Sequence, residues 1–428
     1  MAEAARNASG SRTTAPRAKA DTGLPENAGP ACSIDAIKAQ FPILQDPALH
    51  YLDNAATSQM PQTVLDALNA FETGFRANVH GGVHKLAREA LSAYESARSA
   101  LANYIGAASP REVVFTYGAT SAINLVAHSF GSLLNPGDEV VISELEHHSN
   151  IVPWQMLVER AGITVKAVKV TPDGRLDLGH LNDIVTKRCQ LISVTHCSNV
   201  TGAVTDTAAV VEAAKAVGAR VLLDGAQRVA HGPVDVQALG ADFYAFSGHK
   251  MFGPTGIGVL WGRESCLERL PPFMGGGQMI EKVTLERSTY TAPPRRFEAG
   301  TPPIAGAIGL GAAVEWLHGL DWTALAEHRR ALTRRLLDGL QVIPGARIIG
   351  PLGLECRRGV VSFLVNGRDT WSMSQALDAR GVAVRCGHHC AQPLLAAFGL
   401  DTVARASLAL YNTEADVDAL LNGVEDSM

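Results

Sequence analysis

From about residue 89 the chain alternates helix-length amphipathic stretches with short apolar runs, at 112–115 (EVVF), 139–142 (EVVI), 163–168 (ITVKAV), 190–195 (QLISVT), 220–223 (RVLL), 242–246 (DFYAF) and 257–261 (IGVLW). Val-, Ile- and Leu-rich runs with no polar alternation predict strands buried on both faces, and helical spacers between them predict parallel crossovers. The large part of the chain is therefore expected to be an α/β unit with a mostly parallel sheet. In such a sheet, binding sites lie at the carboxyl ends of the strands. Past Pro303 the texture changes. Longer helices are predicted over 304–320 and 322–341, then strands at 346–349, 360–365, 382–386 and 405–409, and a closing helix near 413–425. This second pattern predicts a smaller α+β domain. The expected division is a tail at 1–33, a large domain at 51–300, and a small domain built from 34–50 and 301–428.

Residues 1–33 are rich in Ala, Ser, Thr, Gly and Pro, with few large apolar side chains. Such a segment cannot bury enough surface to order itself, and a disordered tail is expected. A transit peptide is the competing reading, and Glu3, Asp21 and Glu26 argue against it. No run approaches the 18 uninterrupted apolar residues of a membrane span, and the amino-terminal stretch lacks the apolar centre of a secretory signal, so a cytoplasmic address is expected.

The 428 residues carry a formal charge of −5. That balance supplies no long-range attraction to nucleic acid or anionic membrane, and a small-molecule substrate is expected. Seven cysteines are too few and too unevenly spaced for a disulfide framework, which points to free thiols. The run Cys386 to Cys390 (CGHHC) contains metal-ligand types, but its spacing matches no standard zinc finger or knuckle, and no metal is expected.

The candidate chemistry collects at predicted strand ends. Asp224 closes the strand in VLLDGAQ and Lys250 follows DFYAF in SGHK. A lysine and a carboxylate on one sheet edge suit a pyridoxal-phosphate site, the amine forming a Schiff base and the acid keeping the pyridine nitrogen protonated. Between EVVF and a helical run lies Tyr117-Gly118-Ala119-Thr120-Ser121. A glycine turn opening a helix offers unpaired N–H groups to a phosphate, here around Ala119, and Thr120 adds a hydroxyl. Taken alone, this segment reads more readily as an ordinary Thr or Ser helix cap. Ser247 and His249 flank the lysine and can reach the same anion. Glu146-His147-His148-Ser149-Asn150 follows another strand, and one of its two imidazoles is expected to stack on the ring. Gln227 is a candidate donor to the cofactor's phenolic oxygen, and Asn199 ends a further strand.

With DGAQ, SGHKMFGPTGIG, EHHSNIVPWQ, FEAGTPP, RCGHHCAQP and RASLALYNT in order, the chain resembles the group II, SufS-type cysteine desulfurases of the class V aminotransferases. The likeness spans residue 34 to the carboxyl end. It implies the fold type I of pyridoxal-phosphate enzymes, a seven-stranded sheet in the large domain and a homodimer. It also implies that Lys250 is the Schiff-base lysine, Asp224 the pyridine partner, and Gln227 and His147 ring contacts. Ala119, Thr120, Ser247 and His249 would hold the phosphate, and Thr301 would reach the phosphate of the neighbouring subunit. Arg405, with Asn199 and Arg385, would hold the substrate carboxylate, and Cys390 would be the nucleophile that takes sulfur from L-cysteine as a persulfide, for iron–sulfur cluster assembly. A SufE- or SufU-like acceptor protein would then receive the sulfur. A free thiol is only a few per cent thiolate at neutral pH, so His388, His389 or Arg385 is expected to assist ionisation.

Two positions depart from that pattern. Gly81 follows His80 where the family normally has Arg, and Cys386 stands where Thr is usual. A resolving role for Cys386 is the alternative to a passive small side chain. The segment 275–280 (GGGQMI) resembles the family's latch near the dimer interface. The rival functions are selenocysteine lyase activity at the same site, another reaction of this class such as epimerisation or kynureninase-type cleavage, and a sulfur-relay scaffold without catalysis. The cysteine in RCGHHCAQP argues against the second, and intact Lys250, Asp224, His147, Arg405 and Cys390 against the third.

Overall fold

The computed structural model describes residues 33–427, so the expected tail at 1–33 lies, but for Ser33, outside the described residues. The large sheet has seven strands: β1 (Val113–Thr116), β2 (Glu139–Ser143), β3 (Thr164–Val168), β4 (Cys189–Thr195), β5 (Arg220–Asp224), β6 (Phe243–Ser247) and β7 (Gly258–Gly262). Their order is β1-β7-β6-β5-β4-β2-β3, and β7 alone runs antiparallel to its neighbours. Each corresponds to one of the apolar runs read from the sequence. The uninterrupted hydrophobicity has a direct cause, because alternate side chains feed two separate cores. Val113, Phe115, Val141, Leu223, Tyr244 and Trp261 pack on one face. Val114, Val140, Leu222, Phe243 and Leu260 pack on the other. Period-2 geometry sends neighbours to opposite faces, so a strand covered on both sides has no polar position to spare.

The small sheet is antiparallel, ordered β8 (Ala346–Ile349), β9 (Val360–Val365), β11 (Val403–Ser407), β10 (Arg385–Gly387). Its inner face, including Val361, Phe363, Ala404 and Ala406, packs under Leu332, Leu336 and Leu420 of helices Trp322–Val342 and Glu414–Asp426. The single strand expected at 382–386 is split. Val382–Ala383 pairs in parallel with His50–Tyr51, and Arg385–Gly387 pairs with β11. The segment before residue 51 is thus tied to the small domain by a strand.

Helix Ile304–His318, expected in the smaller unit, packs instead against helices Gln62–Ala70 and Lys85–Tyr104. Gly311 explains the closeness of one contact, since a Cβ there would come within 2.6 Å of Ala97 Cβ. Ala307, Leu310 and Val314 of this helix belong to the core of the large sheet. Among the described residues no helix is long and apolar enough to cross a membrane.

Candidate active site

The carboxyl ends of β1, β2, β4, β5 and β6 surround a cavity of about 220 Å³ that the small domain closes from the other side. The strand ends contribute Ala119, Thr120, His147, Asn199, Asp224, Gln227, Ser247, His249 and Lys250, and the small domain contributes Arg385, His389, Cys390 and Arg405. Of the residues expected to hold cofactor or substrate or to act as nucleophile, all but Thr301 line this one space, while His148, Cys386 and His388 do not.

Asp224 is 4% exposed and receives a hydrogen bond from Ala226 N at 2.9 Å. Burial raises its pKa, opposed by that N–H and by the charge of Lys250. A buried acid served this sparsely is suited to accept from a protonated ring nitrogen, which would restore its charged form. Lys250 sits in the turn Gly248–Lys250 that follows β6. Burial pushes its ammonium down, Asp224 partly opposing, and this favours the neutral nucleophilic amine. Gln227 Nε2 donates to Ala55 O at 2.7 Å, which spends one of its two N–H groups and fixes the amide beside Asp224.

The helix Ala119–Ser129 opens on Gly118, whose φ of 142° no bulky residue adopts readily. Ala119 N donates to Ser247 Oγ at 2.8 Å, joining the turn after β1 to the end of β6. Ser247 Oγ accepts there and keeps its own proton for an anion. Thr120 and His249 line the same end, and burial lowers His249 to about 4, so its imidazole is neutral at physiological pH.

The two histidines of EHHSN separate as the backbone requires. His147 lines the cavity and His148 does not. Ser149 N donates to His147 Nδ1 at 3.1 Å, so the ring's proton resides on Nε2. Burial, followed by the charge of Lys250, lowers His147 to about 4. Beneath it, buried Glu146 accepts from Asn150 Nδ2 at 2.6 Å, from Thr195 N at 3.0 Å and from Ser143 Oγ. Burial raises this carboxyl to about 8 despite those donors.

On the opposite wall Arg385 and Arg405 face each other across β10 and β11, so their side chains share one side of the small sheet. Arg405 is 2% exposed. Its Nη2 pairs with Asp53 Oδ1 at 3.0 Å, its Nη1 donates to Asn199 O at 3.1 Å, and its buried Nε has no partner. An orphaned guanidinium N–H in a closed cavity calls for an acceptor, and a substrate carboxylate supplies one. Asn199 was expected to assist that carboxylate. Asn199 lines the cavity, and its Nδ2 donates to His389 O at 2.8 Å, so it also holds the backbone of the cysteine loop.

Cys390 lines the cavity in a loop where His389 and Cys390 both have positive φ, 50° and 55°. Non-glycine residues avoid this region, and two in a row persist only where the surroundings impose them. His389 Nε2 lies 3.1 Å from Val403 O, and burial lowers the ring to about 3, so it cannot offer a cation to a thiolate. His388 Nδ1 accepts from Cys390 N at 3.0 Å. Cys386 pairs with Ala404 one position along β10 from Arg385, which turns its side chain to the other face of the sheet, and it does not line the cavity. A second thiol in the cavity, Cys197, is fully buried and pushed up to about 11, which leaves it inert.

Thr301 lies away from this space. It lines a separate surface hollow with Gly256, and Asn78 Nδ2 donates to it at 3.4 Å. Gly81 is exposed with φ of 73° and nothing within 4 Å of a Cβ built there. Sequence reasoning missed Asp53 and Ala55, and named Glu146 and His148 only as members of the EHHSN turn. The signal was present for Asp53, since YLDNAAT ends a short strand, but only the pairing of that segment with the small domain brings it to Arg405.

Taken together, the residues fit a phosphorylated pyridine aldehyde. An amine and a buried acid stand at one part of the cavity, hydroxyls and a helix start at another, and guanidinium groups face them.

The aminotransferase class-V family model matches residues 50–420. The chain is 48% identical over 402 residues to a probable cysteine desulfurase of Streptomyces coelicolor, covering 91% of this chain and 96% of that one. It is 46% identical over 397 residues to the cysteine desulfurase of Dickeya dadantii, again covering 91% and 96%. Among solved structures, the cysteine desulfurase CsdA of Escherichia coli superposes with a TM-score of 0.87 at 40% identity, covering 92% of this chain and 98% of that one.

Proposed function

Because the chain belongs to the class-V aminotransferases and, within them, to the pyridoxal-phosphate-dependent cysteine desulfurases, we propose that it converts L-cysteine to L-alanine and takes the sulfur onto Cys390 as a persulfide. The observation that carries the reading is that Lys250, Asp224, Arg405 and Cys390, from both domains, line one cavity.

When bound, pyridoxal phosphate supplies an aldehyde that condenses with amines and a ring that withdraws electrons from the substrate Cα. Asp224 holds the ring-nitrogen proton, and Gln227 and His147 fix the ring. The neutral turn around Ala119, with Thr120, Ser247 and His249, binds the phosphate. Arg405, through its open Nε, receives the substrate carboxylate beside Arg385, and Asn199 keeps Arg405 and the cysteine loop in register. Lys250, whose ammonium burial pushes down, takes the Cα proton. The Cys390 thiolate then attacks the substrate sulfur. The new S–S bond forms as the C–S bond breaks, the C–S electron pair stays with carbon, and protonation of that carbon together with return of a proton to Cα completes alanine.

The finer reading follows the resemblance to the SufS-type enzymes. The protein acts as a homodimer in which Thr301 reaches the phosphate of the neighbouring subunit, and Cys390 passes its sulfur to a SufE- or SufU-like protein for iron–sulfur cluster assembly.

The deciding experiment incubates the protein with L-cysteine and pyridoxal phosphate and measures alanine and enzyme-bound persulfide together. Both are expected in equal amounts in the first turnover. Cys390→Ala should abolish both while retaining the yellow lysine-bound cofactor; alanine formation at the original rate by that variant would refute the assignment of Cys390.

A further inference from the structure

We propose that His148 is a positioning residue for the reaction, fastening the nucleophile's loop to the large domain at Cys390 and just beyond it. The inference rests on the desulfurase reading above and adds a residue to it. His148 N donates to Cys390 O at 2.7 Å. Its ring Nε2 accepts from Gln392 N at 3.3 Å. An N–H must point at Nε2, so the ring is neutral with its proton on Nδ1. One residue of the turn after β2 therefore grips the chain at Cys390 and again two residues beyond it.

The backbone N–H of the same residue is held by His388, whose Nδ1 accepts from Cys390 N. The two imidazoles lie 5.6 Å apart between centroids, tilted by 32°. Both backbone polar groups of Cys390 are thus bound, one by each histidine. The need for such restraint is visible in the loop itself. His389 and Cys390 adopt successive left-handed conformations that an unrestrained chain abandons. Asn199 holds His389, but beyond the nucleophile His148 supplies the tie to the large domain.

The placement has a consequence for catalysis. His147 and His148 are adjacent in one short turn, with His147 in the cavity and His148 on the cysteine loop. The cofactor-facing wall and the attacking sulfur are set by the same piece of backbone, although they belong to different domains. Misplacing a nucleophile by about 1 Å can cost on the order of a hundredfold in rate without altering substrate binding.

The test uses the pyridoxal-phosphate-loaded enzyme with two substrates. L-cysteine needs the thiol of Cys390; β-chloro-L-alanine loses chloride unaided after Cα deprotonation and does not. His148→Ala should lower kcat for alanine formation about tenfold or more, leave KM within about threefold, change the alkylation rate of Cys390, and consume β-chloro-L-alanine at the wild-type rate. His148→Gln, which carries a carbonyl acceptor at similar reach, should recover most of the loss. Full desulfuration by His148→Ala would overturn the proposal. So would an equal loss of both reactions in both variants, since that is what a purely structural histidine produces. Failure of the wild-type enzyme to form alanine and persulfide, with β-chloro-L-alanine still consumed, would instead sink the desulfurase reading itself.

Discussion

Single residues here are chosen by what burial does to their protons. Glu146 keeps its proton in the fold, because burial raises it to about 8 against an ordinary value of 4.5. Between those limits the unfolded chain releases the proton and the folded chain retains it, so stability from this group is full below pH 4.5 and is lost as pH rises through 8. Glu146→Gln, which removes the titrating group but turns an NH2 toward Asn150 Nδ2, should cost about 1–3 kcal/mol at pH 7 and flatten this stretch of the pH profile, as read by urea unfolding. A loss well beyond that at pH 7 would mean that the carboxylate is charged in place. Asp224 and Lys250 were legible in the sequence because strand ends and their following turns have a short-range signature. Glu146 was not, since nothing local distinguishes a buried acid from a loop acid before its donors, Thr195 N and Asn150 Nδ2, are in place.

At the level of elements, the cofactor cradle depends on how closely β7 passes the turn after β1. A Cβ at Gly258 would lie 2.5 Å from Gly118 Cα, a distance backbone atoms cannot tolerate. Gly258→Ala should therefore displace residues 118–120 and weaken pyridoxal phosphate binding by about tenfold or more, measured as loss of the cofactor's absorbance on dialysis, with β7 itself still paired. Unchanged retention would show that the cradle can yield without cost. The strands were readable because all but the edge strand Thr164–Val168 are buried on both faces and are dominated by apolar residues. The strand expected at 382–386 was harder, since one apolar stretch serves two partners, His50–Tyr51 and β11, and pairing is a long-range choice. Helix Ile304–His318 misled for a related reason. It is apolar nearly all round, so its sequence fits either domain, and its contact with Ala97 assigns it to the large one.

In the whole molecule, the closed cavity gathers imidazoles that burial keeps neutral. His147 and His249 are lowered to about 4 and His389 to about 3, each from 6.5. As pH falls below 6.5 the unfolded chain takes up these protons and the folded chain refuses them, so stability is present above pH 6.5 and drains away down to about pH 3. The cofactor-free protein should show a urea midpoint that falls steadily over that window, and replacing His389 by Gln should shallow the slope. A midpoint indifferent to pH from 6.5 to 4 would contradict it. The order of strands and helices, the sheet type and the strand-end acid and amine could be read along the chain, because each has a periodic or short-range cause, whereas Cys390 stood out through the family resemblance of RCGHHCAQP. Which imidazole of EHHSN enters the cavity, that Asn199 serves the cysteine loop, and that Asp53 neutralises Arg405 are consequences of how the domains meet. Those contacts join residues up to about 350 positions apart, as with Asp53 and Arg405 at a separation of 352. Local pattern carries no trace of partners that distant; they are brought together by burial of the two sheets' shared boundary, where every polar group excluded from water must find its complement.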